Sequence, residues 1–249
     1  MPRLTKLFAA TAAALSLAAA APALSQPVHN IVLVHGAFAD ASGWAAVATI
    51  LKKDGYNVAM AQPPETSLED DVAATNRVLD SLDGPAVLVG HSYGGAIITE
   101  AGNNSHVKAL VYIAAFQPDT GESLGSLGAK TPPAGKSVTP TTDGFLFIDP
   151  AQFHADFCAD LPAATASFMA RSQVYLSIKS ASTPITAPAW KTHPSYAMVA
   201  TQDRSINPDL ERFMYKRSNS ITVEVKSSHV AYISHPREVA ALIEKAATH

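Results

Sequence analysis

The stretch PAVLVGHSYGGAIIT, residues 85–99, constrains the fold more than any other part of the chain. It begins with an apolar run, Ala86 to Val89, that predicts a buried strand. The pattern G-x-S-x-G follows, centred on Ser92, and the residues from Ala96 onwards predict the start of a helix. Strand, G-x-S-x-G and helix together are the context of a nucleophile elbow, a sharp turn that projects a serine hydroxyl above the edge of a sheet.

Strands and helices alternate along most of the chain. Each predicted strand is apolar through its centre, as Ile31 to Val34 illustrates, and such strands are typical of a parallel sheet covered on both faces. The predicted fold class is therefore α/β, with a mostly parallel central sheet, helices on both faces, and Ser42 near the N-cap of the first helix. We expect strands at 29–35, 56–61, 86–89, 108–115, 195–200 and 221–225, and helices at 42–53, 68–82, 96–101, 207–217 and 236–246.

This alternation stops after Phe116. Residues 117–191 are rich in Pro, Gly, Ser and Thr; two stretches, 150–158 and 161–175, look helical, and no strand pattern is strong. We interpret the segment as a helical cap inserted over the carboxyl end of the sheet, with a disordered loop as the alternative. The cap is favoured because a disordered loop would expose several aromatic side chains to water. These are Phe145, Phe147, Phe153, Phe157, Phe168 and Tyr175.

Residues 1–25 have the composition of a secretory signal peptide. Two basic residues precede an apolar, alanine-rich run, 7–21, and Ala23 and Ser25 are the small residues that a signal peptidase reads. Cleavage after Ser25 predicts an exported protein, periplasmic or secreted. Its mature chain, 26–249, is expected to form one α/β domain with the cap and not to insert stably into a membrane. An uncleaved membrane anchor is the alternative.

The remaining composition argues against several classes of function. The formal net charge is −3 and there is no cluster of Lys and Arg, so nothing points to a nucleic-acid partner. The His and Cys residues lack metal-type spacing, and Gly94-Gly95 lacks the Lys-Ser/Thr of a phosphate-binding loop, so we expect no metal and no cofactor. The one cysteine, Cys158, cannot form a disulfide within the chain.

A serine at an elbow becomes a nucleophile only with a base within hydrogen-bonding reach and an acid that orients the base. In this class of fold the chain order is serine, acid, histidine, and all three follow the carboxyl ends of strands. Of the nine histidines, only His229 follows a strand beyond Ser92, so it is the predicted base. Asp203, which follows strand 195–200, is the predicted acid, and Asp119, after the preceding strand, is the alternative.

The carbonyl under attack also needs donors for its oxygen. The backbone N–H of Tyr93, directly after the serine, is the first predicted donor, and the loop after the first strand supplies the second. Ala37 takes that place by position, because a backbone N–H requires no particular side chain. Phe38 and Trp44 either line the pocket or belong to the core, and the sequence leaves both interpretations open.

Four stretches of the chain resemble the α/β-hydrolase superfamily, most of all the branch of plant methylesterases, hydroxynitrile lyases and their bacterial relatives. They are VLVHGAFADASGW at 32–44, LVGHSYGGAI at 88–97, TQDRSINPDLERFM at 201–214 and SSHVAYISHPREVA at 227–240. The resemblance implies that Ser92 is the nucleophile, His229 the base and Asp203 the acid. It also implies oxyanion amides at Ala37 and Tyr93. The cap resembles the family's lid only in position and length, so substrate specificity does not carry over.

The lyase members of that branch place a threonine directly after the strand histidine and a lysine directly after the catalytic histidine. Here these positions hold Gly36 and Val230, which offer neither a hydroxyl nor a charge to a cyanohydrin. The leading hypothesis is a serine hydrolase that cleaves carboxylic esters of small to medium-sized molecules through an acyl-enzyme. The alternatives are a non-hydrolytic enzyme on the same scaffold, such as a lyase or cofactor-free oxygenase, and a catalytically silent binding protein.

Overall fold

The computed structural model describes residues 1–2 and 28–248. The signal peptide expected at residues 1–25 therefore lies almost wholly outside the described residues, and its cleavage stays a prediction. Within the described part of the chain, no helix is both long and apolar enough to span a bilayer.

Strands and helices alternate over most of this chain, in the order expected from the sequence. The strands are β1 (Asn30–Val34), β2 (Asn57–Ala61), β3 (Ala86–Ser92), β4 (Val107–Ala115), β5 (Val138–Pro140), β6 (Phe145–Ile148), β7 (Leu176–Ser177), β8 (Ser195–Ala200) and β9 (Ile221–Val225). The helices are α1 (Ala45–Lys53), α2 (Leu68–Asp80), α3 (Gly94–Ala101), α4 (Leu124–Lys130), α5 (Pro150–Phe157), α6 (Ala163–Met169), α7 (Ile178–Ser182), α8 (Pro208–Arg217), α9 (Ala231–Ser234) and α10 (Pro236–Ala247). Short 3-10 helices occupy Ala41–Trp44 and Ala189–Lys191.

Six of the strands form a central parallel sheet in the order β2-β1-β3-β4-β8-β9. Successive residues of a strand point to opposite faces. Ile31 and Leu33 pack in the layer of α1 and α10, whereas Val32 and Val34 pack in the layer of α2, α3 and α8. Each fully buried aliphatic side chain of this kind contributes roughly 1.5–3 kcal/mol. The predicted α/β class, with a parallel sheet and helices on both faces, is confirmed.

Polar caps set where several helices begin. Asn207 accepts a hydrogen bond from Asp209 N at 3.0 Å, and Pro208 occupies the first turn of α8, as the sequence predicts. The N-cap expected near Ser42 is present, but Ser42 itself does not form it. Asp40 caps instead, because its carboxylate accepts from Ser42 N at 2.7 Å and so starts the 3-10 turn that precedes α1.

The cap, residues 117–191, is not wholly helical, and this corrects the prediction. Besides α4 to α7 it contains an antiparallel sheet of the short strands β5, β6 and β7. Strands of two to four residues are too short to show alternation, and the β5 side chains are all exposed, so the sequence carries no strand signal there. The helix expected at 161–175 is shorter and ends at Met169. Beyond it the chain turns and then extends into β7.

The six aromatic residues expected in the cap differ in burial, and Phe145 and Phe147 are half-buried. Phe153 and Phe157 are fully buried with ring centroids 4.8 Å apart, and Cys158 lies beside them in the same core. Phe168 is 72% exposed and Tyr175 is 44% exposed, so the expectation that the cap would shelter these two rings is wrong. Tyr175 stacks on Phe147 instead, with ring centroids 5.3 Å apart.

Candidate active site

Ser92 ends β3 in a left-handed backbone conformation, with φ of 53°. A residue other than glycine rarely adopts this conformation, and the turn is held because its neighbours leave no alternative space. A side-chain carbon at Gly90 would lie 2.5 Å from Gly94 O, and one at Gly94 would lie 2.6 Å from His35 O. A carbon at Gly95 would overlap the carbonyl oxygen of Phe116. The glycines therefore let strand, helix and neighbouring loops approach closely around the serine.

Asp203 and His229 form a buried hydrogen-bonded pair. The Nδ1–H of His229 donates to Asp203 Oδ2 at 2.5 Å, and the two side chains are 1% and 0% exposed. Asp203 Oδ1 accepts from the backbone N–H groups of Ser205 at 2.6 Å and Ile206 at 2.9 Å. We name residues 201–207 the acid loop and residues 226–230 the histidine loop. With Nδ1 committed to Asp203, Nε2 of His229 is the nitrogen left to act on another group.

Ser92 and His229 line one cavity of about 220 Å³. Ala37 and Tyr93, the two expected oxyanion residues, line the same cavity, and Tyr93 immediately precedes α3. The remaining wall is mostly apolar and comes from both the sheet domain and the cap. It comprises Phe38, Phe116, Leu124, Gly125, Val138, Leu146, Ile148, Phe157, Leu176, Ala181, Ser205 and Ile206.

The structure shows where each residue lies whose role the sequence left undecided. Phe38 lines the cavity, whereas Trp44 is fully buried in the core. Asp119, the alternative acid, forms an ion pair with Lys191, and Asp209 forms one with Arg212 on α8. The structure thus joins Asp203, and not Asp119, to His229. Among the described residues, no three His, Cys, Asp or Glu side chains converge as a metal site requires.

His91 supports the backbone of His229 from below. Its Nε2–H donates to the carbonyl oxygen of His229 at 3.0 Å, and the two rings lie 4.6 Å apart. Burial, together with the nearby His229, holds the pKa of His91 well below its ordinary value. In the neutral ring, the tautomer with its proton on Nε2 is the one that can donate to this carbonyl oxygen.

A buried acid cluster lies beneath the loop that follows β1, residues 35–40, which we name the β1 loop. His35 Nδ1 donates to Gly36 O at 3.0 Å and lies 3.5 Å from Glu65 Oε1. Burial raises the pKa of Glu65 to about 7, against the opposing pull of His35. Asp71 joins this cluster to the elbow, because it accepts from Glu65 N at 2.6 Å and from the Tyr93 hydroxyl at 2.5 Å.

The cap is attached to both functional loops by carboxylates. Asp160 Oδ2 accepts from Ser227 Oγ and Ser228 N, each at 3.0 Å, and Asp160 Oδ1 accepts from Ser228 Oγ. Asp156 pairs with Arg204 Nε at 3.0 Å, which ties the cap to the acid loop. These carboxylates therefore tie the loops that carry Asp203 and His229 to the cap.

Sequence reasoning did not find Glu65, Asp160 or Glu211 among the groups at the site. Glu211 had a detectable signal, because it shares a stripe of α8 with Met214 and Tyr215 at the i, i+3, i+4 spacing of a buried face. Glu65 and Asp160 lie in irregular segments, where no periodicity shows which side chains turn inward.

A family described as "Alpha/beta hydrolase family" matches residues 31–242. An "Alpha/beta hydrolase nvfD" from Aspergillus novofumigatus is 26% identical and is matched over 87% of this chain and 96% of its own. A "Probable hydrolase R7" from Phoma sp. is 30% identical over 53% of this chain and 59% of its own. A "Carbendazim hydrolyzing esterase" from Nocardioides sp. is 34% identical over 42% of this chain and 49% of its own. This chain thus spans about half to three fifths of the latter two relatives.

Solved structures share the fold at lower identity. A pyrethroid hydrolase from Sphingobium faniae superposes with a TM-score of 0.76 at 22% identity, over 88% of this chain and 97% of that one. Polyneuridine aldehyde esterase superposes with a TM-score of 0.73 at 18% identity, over 88% of this chain and 98% of that one. Similarity at this level of sequence identity shows a shared fold, but it does not indicate a shared substrate.

Proposed function

The chain belongs to the alpha/beta hydrolase family, and we propose that it is a serine esterase that cleaves carboxylic esters of small to medium-sized molecules. One observation carries the proposal. Ser92, in its left-handed turn, and His229, held through Nδ1 by Asp203, line the same largely apolar cavity. The name of the Nocardioides relative, an esterase, adds support for this class of bond.

In the proposed reaction, Nε2 of His229 takes the proton of the Ser92 hydroxyl while Oγ bonds to the ester carbonyl carbon. Asp203 stabilises the imidazolium that forms. The proton then passes from Nε2 to the alkoxy oxygen, the carbon–oxygen bond breaks, and the alcohol leaves an acyl group on Ser92. A water molecule reverses these steps, giving its proton to His229, and releases the acid.

The negative oxygen of the tetrahedral intermediate is assigned to the N–H groups of Ala37 and Tyr93. Two features support the assignment. Tyr93 immediately precedes α3, so its amide lies at the positive end of a helix. Ala37 lies in the β1 loop and lines the same cavity wall as Ser92.

The size and lining of the cavity favour compact, apolar acyl groups. A volume of about 220 Å³ accommodates a small ester, and the wall is dominated by aliphatic and aromatic side chains. The cap provides part of this wall through Leu124, Val138 and Leu146. Long unbranched acyl chains are therefore expected to be poorer substrates.

Space at Gly36 argues against the lyase alternative. A side-chain carbon at this position would lie 2.5 Å from Ser92 Cβ and 2.7 Å from His91 O, so the threonine of the lyases has no room. Val230 is wholly buried and uncharged, and it cannot stabilise a departing cyanide ion. Hydrolysis needs neither group.

A fluorophosphonate probe and a nitrophenyl acetate assay test the proposal together. We expect covalent labelling and ester cleavage by wild type, and in Ser92→Ala loss of labelling with a fall in kcat on the order of 10⁴ to 10⁶. Ser182→Ala, a change at an exposed serine of the cap, is the matched control and should retain both. No cyanide should be released from mandelonitrile above the spontaneous rate. Cyanide release that depends on Ser92, without esterase activity, would establish the lyase instead.

Export to the periplasm or beyond belongs to the same proposal, on the composition of residues 1–25. Mass spectrometry of the protein from an exporting bacterium should find a mature amino terminus near Gln26. A full-length chain retained in the cytoplasm would contradict it.

A further inference from the structure

Glu211 is a wholly buried acid that the proposed mechanism does not use. It projects from α8 towards the end of β8, where its Oε2 accepts a hydrogen bond from Ala200 N at 3.1 Å. Asp203 N donates to the carbonyl oxygen of the same Ala200 at 3.1 Å, so the carboxyl groups of Glu211 and Asp203 lie next to each other at the end of β8. Within the described chain, its other oxygen, Oε1, accepts from no donor.

Two carboxyl groups in contact, both shielded from water, cannot both be ionised without strong repulsion. The hydrogen bonds around them show which one keeps its proton. Asp203 accepts from Ser205 N, Ile206 N and His229 Nδ1, and all three donors favour its charged form. Glu211 has a single backbone donor. Burial, increased by the charge of Asp203, raises the pKa of Glu211 well above its ordinary value.

We propose that Glu211 is a positioning residue whose carboxyl group donates a hydrogen bond from Oε1 to Asp203 and so holds Asp203 against His229. This gives Oε1 the partner that it otherwise lacks. It also connects the end of β8, through Ala200 N, to the acid loop, so that the orientation of Asp203 is fixed by the sheet as well as by its own loop. The catalytic consequence rests on the proposed esterase function.

Two substitutions separate this role from simple filling of space. In Glu211→Gln, the amide oxygen can still accept from Ala200 N and the amide nitrogen can still donate to Asp203. In Glu211→Leu, the volume is similar but both hydrogen bonds are lost. A space-filling role predicts that leucine serves as well as glutamine, whereas a donor role predicts that only glutamine does.

The kinetic test uses nitrophenyl acetate with folded variants checked by circular dichroism. We expect Glu211→Leu to lower kcat about 10- to 100-fold with little change in KM, as the loss of a hydrogen bond to a charged group predicts. Glu211→Gln should restore kcat to within about three-fold of wild type, since it keeps that bond. Glu238→Gln, at an exposed glutamate of α10, is the control. If Glu211→Leu equals wild type, or if folded Glu211→Gln is as impaired as leucine, the proposal is overturned.

Infrared difference spectroscopy reads the proton directly and needs neither turnover nor the leucine variant. The spectrum of wild type minus Glu211→Gln, at neutral pH, should contain the carbonyl stretch of a protonated carboxylic acid. The carboxylate bands of an ionised glutamate in its place would overturn the proposal. Because this measurement needs no substrate, an inactive wild type would contradict the esterase function alone, while the state of Glu211 would still be read.

Discussion

The central sheet and the cap form opposite walls of one cavity but are stabilised in different ways. In β1, β3 and β8 every residue is buried, and the turn at Ser92 is enclosed by backbone atoms on several sides. In the cap the strands are short, β5 is fully exposed, and attachment to the acid and histidine loops is made through separate polar contacts, among them those of Asp156 and Asp160. Ser92 is therefore held by close packing, whereas the acid and histidine loops are also held by individual polar contacts.

This difference predicts how each region responds to change. A closely packed turn has no space to relax, so a single added carbon is costly there. A region held by separate hydrogen bonds loses them one at a time, and each loss is modest. The four predictions below test this contrast, from the largest effect to the smallest.

Gly95→Ala should strongly destabilise the protein. The added carbon would overlap the carbonyl oxygen of Phe116, which is backbone and cannot swing aside. We expect a loss of about 3 kcal/mol or more in the free energy of unfolding, measured by urea denaturation. The matched change in the cap is Gly128→Ala on α4, where the new carbon meets no atom within 4 Å. It should stabilise by about 0.5–1 kcal/mol. Equal effects of the two substitutions would contradict the contrast.

Glu65 lies between the two regions, because its carbonyl oxygen accepts from Ser177 N of the cap at 2.9 Å. Burial raises its pKa from 4.5 to about 7. Between these pH values the folded state keeps a proton that the unfolded chain releases, so stability falls as pH rises through this window. From pH 4.5 to pH 8, wild type should lose about 3 kcal/mol more than Glu65→Gln, which cannot ionise. The comparison reads Glu65 and His35 as a pair because, against the lowering effect of burial, Glu65 raises the pKa of His35. If the free energies of unfolding of wild type and Glu65→Gln, measured in urea, changed in parallel with pH, the pKa of Glu65 would be the same in the folded and unfolded chain, and the prediction would be wrong.

Asp160→Ala removes the acceptor for Ser227 and Ser228 in the histidine loop. We expect a loss of about 1–3 kcal/mol in the free energy of unfolding, because a backbone N–H and two hydroxyl groups lose their partner. The kcat for ester cleavage should fall by about ten-fold or more as His229 loses its fixed position. Asp143→Ala, at an exposed turn of the cap, controls for removal of a cap carboxylate. A kcat unchanged by Asp160→Ala would show that the conformation of the histidine loop does not depend on Asp160.

Phe168→Ser should have the smallest effect. The ring is 72% exposed, so its removal should change the free energy of unfolding by no more than about 0.5 kcal/mol. Phe157→Ala, in the buried part of the cap, should cost about 3–5 kcal/mol. Thermal unfolding of both variants gives the comparison. A large effect at Phe168 would indicate that the outer surface of the cap is covered in solution.

The strands of the central sheet could be predicted from the sequence because the local residue patterns there agree with the tertiary structure. Apolar runs such as 31–34 and 86–89 are buried strands, and β8 and β9 have the expected bounds. The turn at Ser92 was also predictable, since three glycines in seven residues leave few other conformations. The pairing of His229 with Asp203 was expected from chain order and from the position of each residue after a strand, and the structure shows the two in contact.

The cap and the buried acids were not predictable in this way. The pairing of β5 with β6 joins segments with no alternation of their own, and it depends on contacts with the rest of the cap. Asp160 gains its position from the histidine loop, 67 residues further along the chain. Glu211 lay on a recognisable apolar stripe, but its contact with Asp203 follows only from how α8 packs against β8.

Cys158 gives the cap a chemical reporter of its own. The thiol is wholly buried beside Phe153 and Phe157, and burial raises its pKa to about 12. At neutral pH almost none of it is the reactive thiolate, so alkylating reagents should reach it only in molecules whose cap has transiently opened. As the chain has one cysteine, the labelling signal has a single source. The ratio of its labelling rates in native and unfolded protein therefore measures the equilibrium constant for cap opening.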